Sequence, residues 1–595
     1  MSNAGEDKLQ ALRAALKDGG FTGFVVPTSD EHMSEYIGDY AQRLAWLTGF
    51  TGSMGTCALT LDKAALFVDG RYTTQAREQI KTAQIEHCRV PDIAVEAWLK
   101  DAAGEGDVIG FDPWLHSAIW QRRCAAALKS VGAALKPITP NPIDTLWKAQ
   151  PGRPARPIAD HDEQYAGEGR ARKLTKIARE TAANGADACV IASLDGAAWA
   201  MNMRGSDIAH CPVAFAYLIV PAAGRPTLCV QEDALSESLS RTLEEHVTIA
   251  AYADFAAELA QAAQDAQVVQ LDPQTCVAAL FDIVAEAGAG VLEKREPTTL
   301  AKACKNATER DGTRAAHRRD GAALTRFLKW FDDAAPSGNI TELKAADQLA
   351  LERAKTDALQ DLSFRTISAA GPHAALPHYS VTQDSDLAVP SDGLYLVDSG
   401  GQYLDGTTDV TRTIQVGDIS EEAKARYTDV LKGHIAIATA RFPQGTPGGA
   451  LDTLARQFLW QAGTDYDHGT GHGVGSYLNV HEGPQRIAKA NSDEPLREGM
   501  IVSNEPGYYR EGAFGIRIEN LVLVTANTLK SDERPMLEFE TLTLAPIDTR
   551  PIVRKALTEA EIGWLNRYHA RVRAALEEQL EGEDLDWMRS ATAPI

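Results

Sequence analysis

The sequence predicts an α/β protein of three domains: two copies of one α/β domain, then a larger α+β domain of mixed strands and helices. Three observations carry this. At 595 residues the chain exceeds what one hydrophobic core serves, and about three domains is the expectation from length. Strands alternate with helices through the first half. Distinctive residue pairs recur there at one rough offset.

The opening LQALRAALKD (9–18) reads as a helix and FTGFVV (21–26) as a strand. AALFVDGR (64–71) is a second strand, followed by a helix through TTQAREQI, and VIGFD (108–112) is a third strand. A stretch rich in proline and polar residues, 131–160, then marks a boundary near 150–165. Beyond it the pattern starts again. RPTLCVQED (225–233) parallels KAALFVDGR (63–71), and VVQLDPQT (268–275) parallels VIGFDPWL (108–115). Asp112-Pro113 and Asp272-Pro273 lie 160 residues apart, Trp46 and Trp199 153, Val68 and Val230 162. The expected domains are therefore 1–155, 156–302 and 303–595. The third opens with a long helix whose apolar stripe runs through Ala315, Ala322, Leu324, Phe327, Leu328, Trp330 and Phe331. A second helix follows at 340–354 with Thr341 as its cap. Strands are expected over 363–415, a helix over 420–441, mixed strands to about 547 and a helical tail from 557.

Composition narrows the function. Hydrophobic residues at 44% and charged residues at 24% describe an ordinary globular chain. A formal charge of −23 argues against nucleic acid and anionic membrane surfaces as partners. No apolar run is long enough to span a bilayer, and the N-terminus lacks the basic start and apolar stretch of a secretory signal, so a cytoplasmic protein is expected. All eight cysteines precede position 305 and none forms a CxxC pair. Any metal site in the last 291 residues must then use oxygen and imidazole ligands rather than thiolates.

Such ligands occur there in three groups. YLVDSGGQYLDGTTDVTRTIQVG (395–417) reads as a hairpin that brings Asp398 and Asp409 to one end of a sheet. An acid there is costly unless paired or metal-bound. DHGTGHGVGSYLNVHEGP (467–484) places His468, His472 and His481 among glycines that let backbone approach a ligand closely. In GMIVSNEPGYYREGAFGIRIENLVLV (499–524), Glu505 precedes a proline turn, and Arg517 and Glu519 share one face. Each group alone has a bland reading as turn acids, surface histidines or an ion pair. Together they offer the bridging and terminal ligands of two metal ions about 3.5–4 Å apart. The oxygen-rich set suits Mn²⁺, with Co²⁺, Fe²⁺ or Zn²⁺ also accommodated.

These motifs, together with LSFRTISAAGPHAALPHYS (362–380), resemble those of the pita-bread metallopeptidases. Among these the chain is most similar to the three-domain, cytosolic-type Xaa-Pro aminopeptidases, over essentially its whole length and including two creatinase-like N-terminal domains. The resemblance implies a pita-bread C-terminal domain in which Asp398 chelates one metal, Asp409 and Glu519 bridge both, and His472 and Glu505 complete the other. It implies a hydroxide activated by the metal pair, Glu505 as general base and His481 as a stabiliser of the oxyanion. His378, His468 and His481 would contact substrate, and Arg517 would orient the ligands beside Glu519 or Asp409. The implied substrate is a peptide with proline in second position, and the implied assembly a homodimer. A proline dipeptidase shares the ligands but usually has one N-terminal domain. A metal-free creatinase-type hydrolase, or a peptide-binding relative without catalysis, would lack part of the ligand set, which is complete here.

Overall fold

A computed structural model describes residues 3–490, 492–527 and 533–595. The chain forms two compact units. One comprises the chain up to His161 with Glu168–Ala209 and Val213–Thr299; the other comprises Asp162–Gly167, His210–Pro212 and Leu300–Ile595. The expected 1–155 and 156–302 segments thus fall almost wholly within the first unit. No described helix is long and apolar enough to cross a membrane. All eight cysteines are free thiols.

The first unit contains the repeat. Strands β1 (Gly23–Pro27), β2 (Thr56–Thr60), β3 (Ala64–Val68), β4 (Glu86–Arg89), β5 (Val108–Phe111) and β6 (Ala134–Pro137) form a sheet in the order β4-β3-β2-β1-β5-β6. Strands β7 (Ala188–Ile191), β8 (Ala216–Pro221), β9 (Thr227–Val230), β10 (Thr248–Ala251), β11 (Val268–Leu271) and β12 (Gly290–Glu293) form another, ordered β10-β9-β8-β7-β11-β12. Order and strand directions agree pair by pair: the β1–β2–β3 and β7–β8–β9 neighbours are antiparallel, the rest parallel. Asp112 and Asp272 each follow the fifth strand and turn the chain alike, accepting from Trp114 N and Gln274 N at 2.9 Å. The shared sequence offset is therefore a shared topology. The two sheets' domains meet through His32, whose Nδ1 lies 2.7 Å from Ala192 O.

The second unit opens on the helix Ala307–Ala334, started by a capping box between Asn306 and Glu309. Its buried face includes Ala316, Leu324, Phe327 and Phe331. Midway along it, Asp320 receives a two-pronged bond from Arg353 of the helix Glu342–Ala354 (2.7 and 3.0 Å) and one from Tyr403 Oη (2.8 Å). Thr341 caps that second helix as expected, accepting from Lys344 N.

Two sheets follow. The first is β13 (Ile367–Ala370), β14 (Gly393–Ser399) and β15 (Val410–Val416), all antiparallel. The second has six strands: β16 (Arg441–Pro443), β17 (Gly471–Gly473), β18 (Glu482–Ile487), β19 (Ile501–Asn504), β22 (Asn520–Ala526) and β23 (Met536–Thr541), in the order β16-β23-β22-β19-β17-β18. Between β19 and β22 the chain makes a separate two-stranded ribbon, β20 (Gly507–Arg510) with β21 (Phe514–Arg517). The helices Glu421–Ala438, Gly449–Gln461, Glu559–Leu576 and Gly582–Ala591 cover these sheets. Gly449–Gln461 corrects the expectation of strands throughout 442–547. Its buried Leu451, Ala455 and Leu459 recur every four residues, a helical period that the surrounding glycines obscured.

The Asp320–Arg353 pair gives a test of this unit. Both side chains are buried, so removing the cation leaves an uncompensated carboxylate. Arg353→Met is expected to lower stability by about 3–5 kcal/mol, measured by urea unfolding of the full chain. A loss below about 1 kcal/mol, the scale of an exposed pair, would refute it.

Candidate metal centre

The two sheets of the second unit meet at a cluster of acids. Asp398, near the end of β14, pairs in register with Thr411 of β15, and Asp409 lies just before β15 begins. These two come from the three-stranded sheet. His472 comes from β17, Glu505 from the residue after β19 and Glu519 from the residue before β22, all on the six-stranded sheet. A backbone bond fixes the junction, Glu519 N donating to Thr411 O (3.2 Å), and within the six-stranded sheet Glu505 N donates to Thr470 O (2.8 Å). Close approach is built in at Gly471, where a Cβ would fall 1.9 Å from Ser503 O.

Donor atoms of Asp409, His472 and Glu519 lie within 4.8 Å of one another. His472 Nε2 is 3.5 Å from Asp409 Oδ2 and 3.4 Å from Glu505 Oε1. Its Nδ1 is held by Gly473 O at 2.9 Å. A ring nitrogen facing a carbonyl carries the proton, so Nε2 presents its lone pair to the acids. Glu505 Oε1 accepts from Ser503 Oγ (3.0 Å), which itself accepts from His472 N (2.9 Å).

Arg517 is the cation of the cluster. Its Nη2 donates to Asp398 Oδ2 (2.7 Å), Nη1 to Tyr509 Oη (2.7 Å) and Nε to Thr411 Oγ1 (3.1 Å). Thr411 Oγ1 in turn donates a hydrogen bond to Glu519 Oε2 at 2.7 Å. The expected direct partners of Arg517, Glu519 or Asp409, are thus replaced by Asp398. The register explains this: Asp398 faces Thr411, so an arginine reaching that threonine meets Asp398 first, and Glu519 only through the hydroxyl. Tyr509, Thr411 and Ser503 were not singled out from sequence. Thr411 was recoverable, because it stands opposite Asp398 in the hairpin; Tyr509 gives no such sign.

One arginine does not balance the acids. Asp398 Oδ1, Asp409 Oδ1 and Glu519 Oε1 are buried without a hydrogen-bond partner. Burial, then the charges of Asp398 and Glu505, push the Asp409 carboxyl well above its ordinary range. Burial, then Asp409, Asp398 and Glu505, do the same to Glu519. Orphaned carboxylate oxygens beside an imidazole lone pair are what divalent cations require, so the residues present fit a metal centre.

Two further histidines, His481 and His468, stand beside it. The His481 ring stands 4.3 Å from that of His472, edge to face. Its neighbour Glu482 is fully buried between Lys305 and Lys302, which anchors that loop. His468 Nδ1 lies 2.7 Å from Gly469 O and Nε2 2.8 Å from Tyr509 Oη, while Glu505 Oε2 is 3.9 Å from Nδ1. His378 sits on a separate element, half-buried beside Tyr379. That segment is tied down by Glu342, which accepts from Tyr379 Oη (3.0 Å) and lies 2.9 Å from His373 Nδ1.

Comparison with known proteins places the chain among metallopeptidases. Residues 311–526 match the model of metallopeptidase family M24 and 535–595 that of its C-terminal region. Residues 8–146 and 149–309 each match the creatinase/prolidase N-terminal domain. A probable Xaa-Pro aminopeptidase P of Sordaria macrospora is 40% identical, with 99% of each chain covered. One from Neurospora crassa is also 40% identical, over 99% of this chain and 89% of that one. The crystal structure of X-prolyl aminopeptidase from Caenorhabditis elegans, described as a cytosolic enzyme with a di-nuclear active site, superposes with a TM-score of 0.95. It is 36% identical and covers 99% of this chain and 100% of its own. An Xaa-Pro dipeptidase from Bacillus anthracis shares the fold, with a TM-score of 0.51 at 22% identity, over 64% of this chain and 99% of its own. The chain belongs to metallopeptidase family M24. More narrowly, its full-length relatives are Xaa-Pro aminopeptidases.

The raised carboxyls make the metal-free protein pH-sensitive. A folded pKa above the unfolded value means the folded state holds more protons, so this stability is present at low pH and lost as pH rises. In EDTA, Tm is expected to fall as pH rises from about 4.5, the ordinary carboxylate range, toward neutrality. Saturating Mn²⁺ should remove that slope, and its binding should release protons, read by calorimetry in buffers of different ionisation enthalpy. A metal-free Tm that rises over the same interval would contradict the assignment.

Proposed function

We propose that this chain is a metal-dependent aminopeptidase that removes the N-terminal residue from peptides with proline in second position. The observation that carries the reading is the acid cluster: three buried carboxylates, each with an unpartnered oxygen, facing the lone pair of His472 and the carboxylate of Glu505.

Asp398, Asp409, His472, Glu505 and Glu519 would hold two divalent cations, their carboxylate oxygens and the imidazole of His472 supplying the ligands. Mn²⁺ suits this donor set; Co²⁺, Fe²⁺ and Zn²⁺ are accepted by the same atoms. When bound, the pair lowers the pKa of water and draws charge from the scissile carbonyl. The chain supplies the rest. Glu505, positioned by Ser503, takes the proton of the attacking water. His481 donates to the carbonyl oxygen as it gains charge. Cleavage leaves a secondary amine, which needs a proton; Glu505 returns it, with His468 and His378 as relays and substrate contacts. Arg517 keeps Asp398 in place. Because proline has no N–H, it must be recognised through its ring, and His378 and His481 form that pocket.

The competing reading is a proline dipeptidase. The dipeptidase fold accounts for 64% of this chain, whereas the Caenorhabditis elegans X-prolyl aminopeptidase and the Sordaria macrospora probable Xaa-Pro aminopeptidase P each cover 99% of it. That difference favours the aminopeptidase. Digesting a peptide set with varied second residues, read by mass, should show loss of a single N-terminal residue before proline and dependence on Mn²⁺. Equal rates for alanine and proline, or turnover confined to dipeptides, would overturn the proposal. Glu505→Gln should reduce kcat by about 10²–10⁴-fold with an unchanged circular dichroism spectrum.

A further inference from the structure

The strand segments that carry the acids have a second, buried side. Thr411 and Thr413 face the centre, the first bonded to Glu519 Oε2 and the second to Arg517 O. Arg412 between them points the other way, as strand alternation requires. It is 2% exposed, and among the described residues it forms no ion pair. Its guanidinium donates only to neutral acceptors: Nε to Pro546 O (2.8 Å), Nη1 to Thr411 O (2.8 Å) and Glu519 O (2.6 Å), and Nη2 to Asn520 Oδ1 (2.9 Å), Ala545 O (2.9 Å) and Tyr568 Oη (3.0 Å). An unpaired buried cation is costly. What this one does is join two sheets, since Thr411 lies on β15 and Glu519 and Asn520 at the start of β22.

The chain of bonds continues. Asn520 gives its oxygen to Arg412, so its NH₂ faces His434 Nε2 at 3.1 Å. Nε2 therefore accepts, and Nδ1 carries the proton and donates to Asn504 O at 3.0 Å. Asn504 Nδ2 returns a bond to His434 O at 2.9 Å. Burial, then the charge of Arg412, lower the His434 pKa to about 3, which keeps this tautomer at working pH. Asn520 adjoins Glu519, Asn504 adjoins Glu505, and Arg412 lies three residues beyond Asp409.

We infer that Arg412, acting with His434 through Asn520, is a positioning residue that sets the separation of Asp409, Glu519 and Glu505 and hence the centre's affinity for its metal pair. It touches neither substrate nor metal; it acts through the main chain beneath those three acids. The inference rests on the metal assignment proposed above.

The test measures Mn²⁺ binding by calorimetry on EDTA-stripped full-length protein, with the visible spectrum of the Co²⁺ form as a second reading. Arg412→Met should weaken binding by about 10–100-fold and alter the Co²⁺ spectrum, while KM for peptide stays within about twofold and kcat falls. Arg412→Lys, which keeps a donor for one of the two carbonyls bridged by Nη1, should recover part of the loss. His434→Asn keeps the donor to Asn504 O but loses the acceptor for Asn520, and should weaken Mn²⁺ binding in the same direction. A folded Arg412→Met protein with native affinity and spectrum overturns the inference. If Arg412→Met does not fold, native affinity in His434→Asn overturns it instead. Absence of metal binding by the unsubstituted protein sinks the metal assignment itself, a result distinguishable from either.

Discussion

Mutual repulsion among Asp398, Asp409, Glu505 and Glu519 is the constraint around which the second unit is organised. Four carboxylates face one another with a single arginine, Arg517, among them, and burial raises the cost of each charge. No single element could hold such a group. The acids are therefore divided between two sheets, each of which packs an apolar side into a hydrophobic core. The backbone bond from Glu519 N to Thr411 O and the arginine behind β15 keep the sheets from parting. Gly473 O fixes the orientation of the His472 ring, turning Nε2 toward the acids.

Much of this was legible in the sequence. The hairpin carrying Asp398 and Asp409 declared itself through alternation of valines with acids, because one-sided strands leave a period of two. The repeated Asp-Pro pairs announced a duplicated topology because each acid performs the same local turn after the fifth strand. The five site residues lay in glycine-rich or strand-end motifs, where unusual side chains stand out.

What sequence did not show has physical reasons. The partner of Arg517 depends on strand register, and a shift of one residue would reverse which acid it meets. Tyr509 reaches the centre from a ribbon whose direction is set by tertiary packing. The buried run of Arg412, Asn520, His434 and Asn504 is spread over β15, β22, a covering helix and β19. Nothing in local pattern separates a buried polar residue of this kind from a solvated one. The helix Gly449–Gln461 was hidden for a different reason: strands were expected through this region, and flanking glycines broke up its four-residue period.

The division of the acids between two sheets also has a consequence for synthesis. Asp398 and Asp409 leave the ribosome more than a hundred residues before Glu519, and neither half offers more than a partial donor set alone. On the metal assignment proposed above, a nascent chain could not capture a cation pair from its early half and carry it into the fold. Metal uptake would then be a late event that reports completed assembly, and a chain truncated before β22 would be born without an avid site. Topology, rather than the selectivity of any one ligand, would limit mismetallation during translation.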